Sequence, residues 1–160
     1  MAYFNLSSNS IPQKIDETST TPLITIGTII SAEDPVYGEG EFIYLKGLAS
    51  TAIGEAVIYD QYANTTTRAV SGSRGPVAFA MSANIANQYG WYQIRGAVVA
   101  KSNTAVANVR PYATATAGTI DDAVSATNAI DGAVYRTADG NPSAGFATLQ
   151  INNPAMNGNG

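Results

Sequence analysis

Three stretches of the sequence gather side chains with which a protein could do chemistry. Glu33, Asp34, Glu39 and Glu41 crowd four carboxylates into one Pro- and Gly-punctuated segment. Oxygen ligands of this kind suit a hard cation, and two apposed carboxylates can act as acid and base. The segment does not follow the D-x-[DN]-x-[DN]-G pattern of a calcium loop, and on Pro and Gly such carboxylates usually decorate a solvated turn. Asp121-Asp122 and Asp131 read in the same way, as caps and turn residues. Ser71-Gly72-Ser73-Arg74-Gly75 has the glycines of a phosphate-cradling loop but lacks its Lys-Ser/Thr ending, and Pro76 and a strand follow, so it reads as an inter-strand loop. Tyr89-Gly90-Trp91-Tyr92-Gln93-Ile94-Arg95 is the richest aromatic segment, with the makings of a stacking platform for a sugar or base. On a strand, Tyr92 and Ile94 point to one face and Trp91, Gln93 and Arg95 to the other. That parity predicts Tyr92 and Ile94 in a core and Trp91 with Arg95 at a protein contact, where both residue types are enriched.

Missing residue types narrow the chemistry further. The 160 residues contain no Cys and no His. Disulfides, thiolate nucleophiles, Cys/His zinc sites and Ser-His or Cys-His pairs are therefore excluded. A serine nucleophile would need a Lys base, and Lys14, Lys46 and Lys101 stand in unrelated contexts. Neither catalysis nor a cofactor is expected. Only 12% of the residues are charged, about half the usual share. The net charge of −4 and the scattered basic residues argue against nucleic acid. No apolar run approaches the roughly 18 residues of a membrane span. Met1-Ala2-Tyr3-Phe4-Asn5 lacks the features of a signal peptide, so a soluble protein made in a cytoplasm is expected.

The elements that must hold these groups read as all-β, a small barrel or sandwich of short antiparallel strands with an extended N-terminal arm. Residues 1–22 are rich in Ser, Thr, Asn and Pro without periodicity and form the predicted arm, disordered alone and ordered on a partner. Residues 23–151 form a single β-rich domain, and the Asn-rich residues 152–160 a flexible tail. Strands are expected at 23–30, 42–46, 56–59, 66–70, 77–81, 91–100, 105–109, 133–136 and 146–151, separated by Gly, Pro, Asn and Ser clusters. Residues 31–40 read as a loop, while 82–88 and 120–124 read as single helical turns. Val77, Phe79 and Met81 alternate with Ala78 and Ala80, the pattern of a tight barrel wall with its bulky side inward. The segment Glu41-Phe42-Ile43-Tyr44-Leu45-Lys46 is apolar on both faces and must be covered twice, within the protomer or by a partner subunit.

The order of several short motifs carries a resemblance. Gly40-Glu41-Phe42-Ile43-Tyr44-Leu45-Lys46-Gly47 is followed by Ile53-Gly54-Glu55-Ala56-Val57-Ile58-Tyr59-Asp60, Gly75-Pro76-Val77-Ala78-Phe79-Ala80-Met81 and Gln88-Tyr89-Gly90-Trp91-Tyr92-Gln93-Ile94-Arg95-Gly96. Ala117-Gly118-Thr119-Ile120-Asp121-Asp122-Ala123-Val124 and Gly140-Asn141-Pro142-Ser143-Ala144-Gly145 come after. From about residue 38 to 151 this succession resembles the small β-rich capsid decoration (cement) proteins of tailed bacteriophages. The resemblance implies a structural virion protein on the outer surface of an expanded head. It implies contact with the major capsid protein, often as a homotrimer, and no catalytic residues. Under that reading the candidate capsid or subunit contacts are Phe4, Ile11 and Ile15 of the arm, Phe42 and Tyr44 of the two-faced strand, and Trp91 with Arg95. Alternatives are another virion component of tail, neck or fibre, and a carbohydrate-binding module using Tyr89, Trp91 and Tyr92.

Overall fold

The structure, a computed structural model, describes residues 4–5 and 11–158. It is all-β, and no helix occurs among the described residues. Among the described residues eleven strands run β1 (Phe4–Asn5), β2 (Ile29–Asp34), β3 (Gly38–Gly47), β4 (Ala56–Asp60), β5 (Thr65–Arg68), β6 (Gly75–Ala80), β7 (Tyr89–Lys101), β8 (Tyr112–Ala113), β9 (Ile120–Asp121), β10 (Asp131–Tyr135) and β11 (Phe146–Met156). Nine of them form one sheet, in which β3, β5, β4, β6 and β7 close a ring because β3 pairs with both β5 and β7. The β3–β5 pairing is parallel and the other four pairings of the ring are antiparallel. From Arg95, the last residue of β7 paired with β3, the strand runs on out of the ring and pairs with β11, which carries β10 on its far side.

Alternation along the ring strands sorts the side chains into two cores. Ile43, Leu45, Val57, Tyr59, Ala78, Ala80, Tyr92 and Ile94 form one buried cluster drawn only from ring strands, which fills the ring. The other face carries Phe42, Tyr44, Val77, Phe79 and Trp91, and packs against Ile15, Ile120, Ile130, Tyr135, Leu149 and Ile151 in a larger cluster. Tyr92 and Ile94 therefore lie inside, as their parity predicts. The β6 alternation is real but reversed: Ala78 and Ala80 face the ring, and Val77, Phe79 and Met81 face outward into the second core. A five-stranded ring is narrow and already holds Tyr92 and Tyr59, so bulk goes to the face that β10, β11 and the N-terminal segment cover.

Several local expectations give way. The apolar run 23–30 is coil up to residue 28, because Gly27 takes φ +88° and its backbone closes on the Asn64 side chain, where a Cβ would lie 2.8 Å from Asn64 Oδ1. The charged stretch 31–40 is a hairpin instead of a loop: Asp34 Oδ1 accepts the N–H groups of Val36 (2.7 Å) and Tyr37 (3.0 Å), and β2 and β3 extend on either side. Residues 105–109 are turns, with Asn108 at φ 70°. Residues 82–88 are bends and turns, and Ile120–Asp121 is a strand. The expected tail 152–160 continues β11 to Met156, whose side chain is buried.

Of the expected N-terminal arm, residues 1–3 and 6–10 lie outside the described residues, and 11–22 differ from an arm that orders only on a partner. Residues 11–22 pack on the protomer, with Gln13 1% and Ile15 3% exposed. The Trp91 indole donates to the Gln13 carbonyl at 3.0 Å, and the Gln13 side chain accepts from the Tyr44 hydroxyl and donates to the carbonyls of Glu17 (2.8 Å) and Tyr89 (3.0 Å). Ser19 and Tyr89 exchange two backbone hydrogen bonds. A polar sequence forms an ordered strap here because both side-chain polar atoms and the carbonyl of Gln13 find partners over an aromatic floor.

Candidate functional site

The groups singled out by their chemistry do not converge. Asp34 caps its own hairpin, while Glu39 and Glu41 flank Arg95, with Glu39 at 3.7 Å and Glu41 at 3.3 Å, so Arg95 is a neutralised ion pair and not the partner of Trp91. Asp122 accepts from Thr104, Asp121 from the Ala123 amide, and Asp131 pairs with Arg110 at 3.6 Å. Among the described residues no group of three or more acidic side chains is disposed to hold a metal ion. In the 71–75 loop, Gly72 N–H is taken by Asn128 Oδ1 and the Ser73 hydroxyl by Val70 N–H.

The aromatic segment does not form a ligand platform either. Trp91 and Tyr92 are buried on opposite faces of β7, and only Tyr89 reaches the surface. Trp91 packs with Tyr44, ring centroids 5.1 Å apart, beneath the N-terminal strap. Ile15, Phe42, Tyr44 and Trp91 are thus enclosed in the protomer's own core and unreachable for a second chain in this conformation; strap, β10 and β11 cover the face left open in the sequence reading. Ile11 packs at the edge of that core. Phe4 takes part in β1, pairing with Glu33, and its side chain lies outside the described residues.

A surface that the sequence reading did not single out is better built for contact. It lies at the end of the ring where β3 and β6 finish and β4 and β7 begin. The β3–β4 loop (48–55) and the β6–β7 loop (81–88) meet there, joined by Thr51 N–H to Asn84 O at 2.9 Å, Asn87 N–H to Gly47 O and Ala86 N–H to the Ser50 hydroxyl. Leu48, Ile53 and Ile85 stand out of it, 46%, 48% and 65% exposed. The one ionisable residue in either loop is Glu55, which is buried and paired with Lys101 (3.1 Å) and Arg68 (3.6 Å). Neither loop of this platform therefore exposes a charged side chain of its own, and the nearby cations Lys101 and Arg68 are each held on Glu55.

Its rigidity comes from the barrel interior. Asn84, 2% exposed, turns inward and donates to the Tyr92 hydroxyl at 2.9 Å, and the Thr66 hydroxyl approaches the same oxygen at 3.4 Å. Two glycines make room: a Cβ at Gly47 would sit 2.9 Å from the Tyr92 hydroxyl, and one at Gly90 would sit 2.8 Å from Asn84 Oδ1. Burial raises the Tyr92 pKa, opposed by its hydrogen bonds to Thr66 and Asn84, so the network stays neutral. Directly after the second loop, Tyr89, with Lys46 Nζ 6.0 Å from its ring centroid, borders a groove of about 510 Å³ lined by Pro22, Leu23, Ile24 and Ile26. The sequence signal for this site was the absence of exposed charge from 18–30, 47–54 and 81–88. An absence is easily passed over when acidic and aromatic clusters are sought.

No protein-family model matches the chain, and a search of the curated proteins finds no match to it.

Proposed function

We propose that the protein is a structural, non-enzymatic virion component of a tailed bacteriophage. It docks through the ring-end platform onto the outer surface of an expanded head and braces neighbouring major capsid proteins, acting as a homotrimer. The observation that carries this reading is the platform itself: two hydrogen-bonded loops present Leu48, Ile53 and Ile85 and expose no charged side chain of their own. Contiguous apolar surface on a soluble domain marks a contact site, and depletion of charge is the compositional mark of an interface core. The ordered succession of motifs, which resembles that of decoration proteins, supports the same assignment.

Co-sedimentation with expanded, undecorated heads tests it, with unexpanded proheads as the control. Saturable binding to expanded heads alone is expected, in a copy number that matches three-fold positions. A folded protein that binds neither shell refutes the proposal.

A further inference from the structure

Tyr62 stands at the tip of the β4–β5 turn, 97% exposed. The turn is fixed: Asp60 Oδ1 accepts the N–H groups of Tyr62 (2.7 Å) and Ala63 (3.1 Å), and the Asn64 N–H returns to the Asp60 carbonyl at 2.7 Å. An aromatic side chain hides about 150–250 Å² when buried, and nothing in this chain covers Tyr62. No cation among the described residues pairs with Asp60 at its base.

The groove beside the strap has the complementary make-up. Leu23, Ile24, Ile26 and Tyr89 give it apolar walls around about 510 Å³. Those walls are set, because Leu23 N–H donates to the Tyr44 hydroxyl at 3.3 Å and Tyr89 stacks with Tyr44, ring centroids 6.4 Å apart. Leu23 is nonetheless 50% exposed. At the lip, Lys46 Nζ lies 6.0 Å from the Tyr89 ring centroid. Although acidic residues outnumber basic ones 12 to 8, no carboxylate among the described residues pairs with Lys46.

We infer that Tyr62 of one copy of the chain seats in this groove of a second copy, with Asp60 facing Lys46 across the contact. An apolar trough with a cation at its lip matches an aromatic knob with an anion at its base. The buried ring supplies most of the energy, and the exposed ion pair sets the orientation. Knob and groove are neighbours on the surface: the Asn64 side chain packs on Gly27, directly after Ile26, and Lys46 N–H donates to the Asn64 carbonyl at 3.1 Å. Tyr62 nevertheless lies outside its own groove on its fixed turn, so the groove is left for another copy. Two different patches joined head to tail let a few copies close a ring, each knob in the next groove. The contact gives the homotrimer of the proposed function its seam, and rests on that reading only for the number of copies.

Sedimentation velocity of the full chain over a wide concentration range tests the contact. A three-chain species is expected, and Tyr62→Ala and Leu23→Asp should each weaken association by about tenfold or more. Both side chains are at least half exposed, so both variants should melt with the parent. Mixed together, the two variants should recover a two-chain species that neither forms alone, because the knob of one meets the groove of the other. Asp60→Asn keeps the Oδ1 cap and should weaken association by less than about fivefold, with no further loss when Lys46→Gln is added. A chain that stays single at every concentration, or an association that Tyr62→Ala and Leu23→Asp both leave unchanged, overturns the proposal. A two-chain parent weakened by both variants keeps the contact and removes the trimer from the proposed function. Failure to bind heads in a protein that still associates in this way strikes the docking role and leaves the contact standing.

Discussion

Replacing Gln13 by Ala asks whether the N-terminal strap belongs to the fold. Gln13 is 1% exposed and its side chain is the acceptor for the Tyr44 hydroxyl, which is itself enclosed in the core. Without that acceptor the phenol proton has no partner: Leu23 N–H, 3.3 Å away, is a donor and cannot replace it. A buried unsatisfied hydroxyl costs about 1–3 kcal/mol. The Tyr89 carbonyl also loses a donor but keeps Ser19 N–H at 3.0 Å, and the exposed Glu17 carbonyl can turn to water, so these add little. With the lost packing, the total is about 2–4 kcal/mol, or roughly 2–4 °C of Tm for each kcal/mol in a domain of this size. Thermal and urea unfolding measure the loss. Trp91 emission reports it independently, because its indole donates to the Gln13 carbonyl and should shift to longer wavelength if the strap loosens. The double variant with Tyr44→Phe is the control: with the hydroxyl absent, Gln13→Ala should cost about 1–2 kcal/mol less than alone. A Gln13→Ala protein within about 0.5 kcal/mol of the parent, with unchanged Trp91 emission, would refute the claim that the strap is structural.

Other consequences follow from the same geometry. Replacing both Lys101 and Arg68 by Met strands the buried Glu55 carboxylate and should cost about 3–5 kcal/mol, with either single change costing much less; equal costs in denaturant melts would show that the cations do not share the load. Burial raises the pKa of Tyr44, Tyr59, Tyr92 and Tyr135 above the ordinary 10.0, so their contribution is intact below pH 10 and is lost as pH climbs through the folded-state values. Phenolate absorbance from these four should therefore appear together with unfolding, and four freely titrating phenols in a folded protein would contradict the burial. Gly90→Ala forces a Cβ to within 2.8 Å of Asn84 Oδ1, and should loosen the 81–88 loop and lower stability by about 1–3 kcal/mol. Hydrogen exchange should then quicken first at Thr51 and Asn87, whose amides join the two platform loops.

How much of this was written locally can be judged from particular residues. The all-β class and the ring strands were legible because alternation and turn residues are local: 42–46, 56–59 and 77–81 each fall within observed strands or one residue beyond. Parity also separated Tyr92 from Trp91 correctly. Which parity faces the ring was not legible, since it depends on how many strands close it and on what covers the other face. The strap failed for a related reason: Gln13 looks like any polar arm residue until Tyr44, Tyr89 and Trp91, at least 31 positions away, supply its partners. Apart from Arg95, the interface residues chosen from sequence were large and apolar, and the core claimed Ile15, Phe42, Tyr44 and Trp91 for just that property. The exposed surface fell to the residues between strands, where Leu48, Ile53 and Ile85 had no alternation to mark them.

The platform's own energetics decide how it can be used. Leu48, Ile53 and Ile85 are each about half exposed, and completing their burial is worth about 1 kcal/mol apiece, some 3–4 kcal/mol in all. Against the cost of association, that supports an affinity no better than the millimolar range for a single copy. On the proposed repeating shell the arithmetic changes, because three linked platforms of the proposed homotrimer would multiply weak contacts at equivalent positions through effective concentration. With no exposed charge in either loop, added salt should leave the binding intact, in contrast to an ion-paired contact. Leu48→Asp combined with Ile85→Asp tests both points. Neither side chain is in the core, so Tm should stay within about 2 °C of the parent, while head binding should fall by two orders of magnitude or more, because the loss at each platform is repeated across the linked copies. Undiminished binding by that variant, or binding that collapses in moderate salt, would remove the platform from the docking role and move the contact to the charged strands around Arg95.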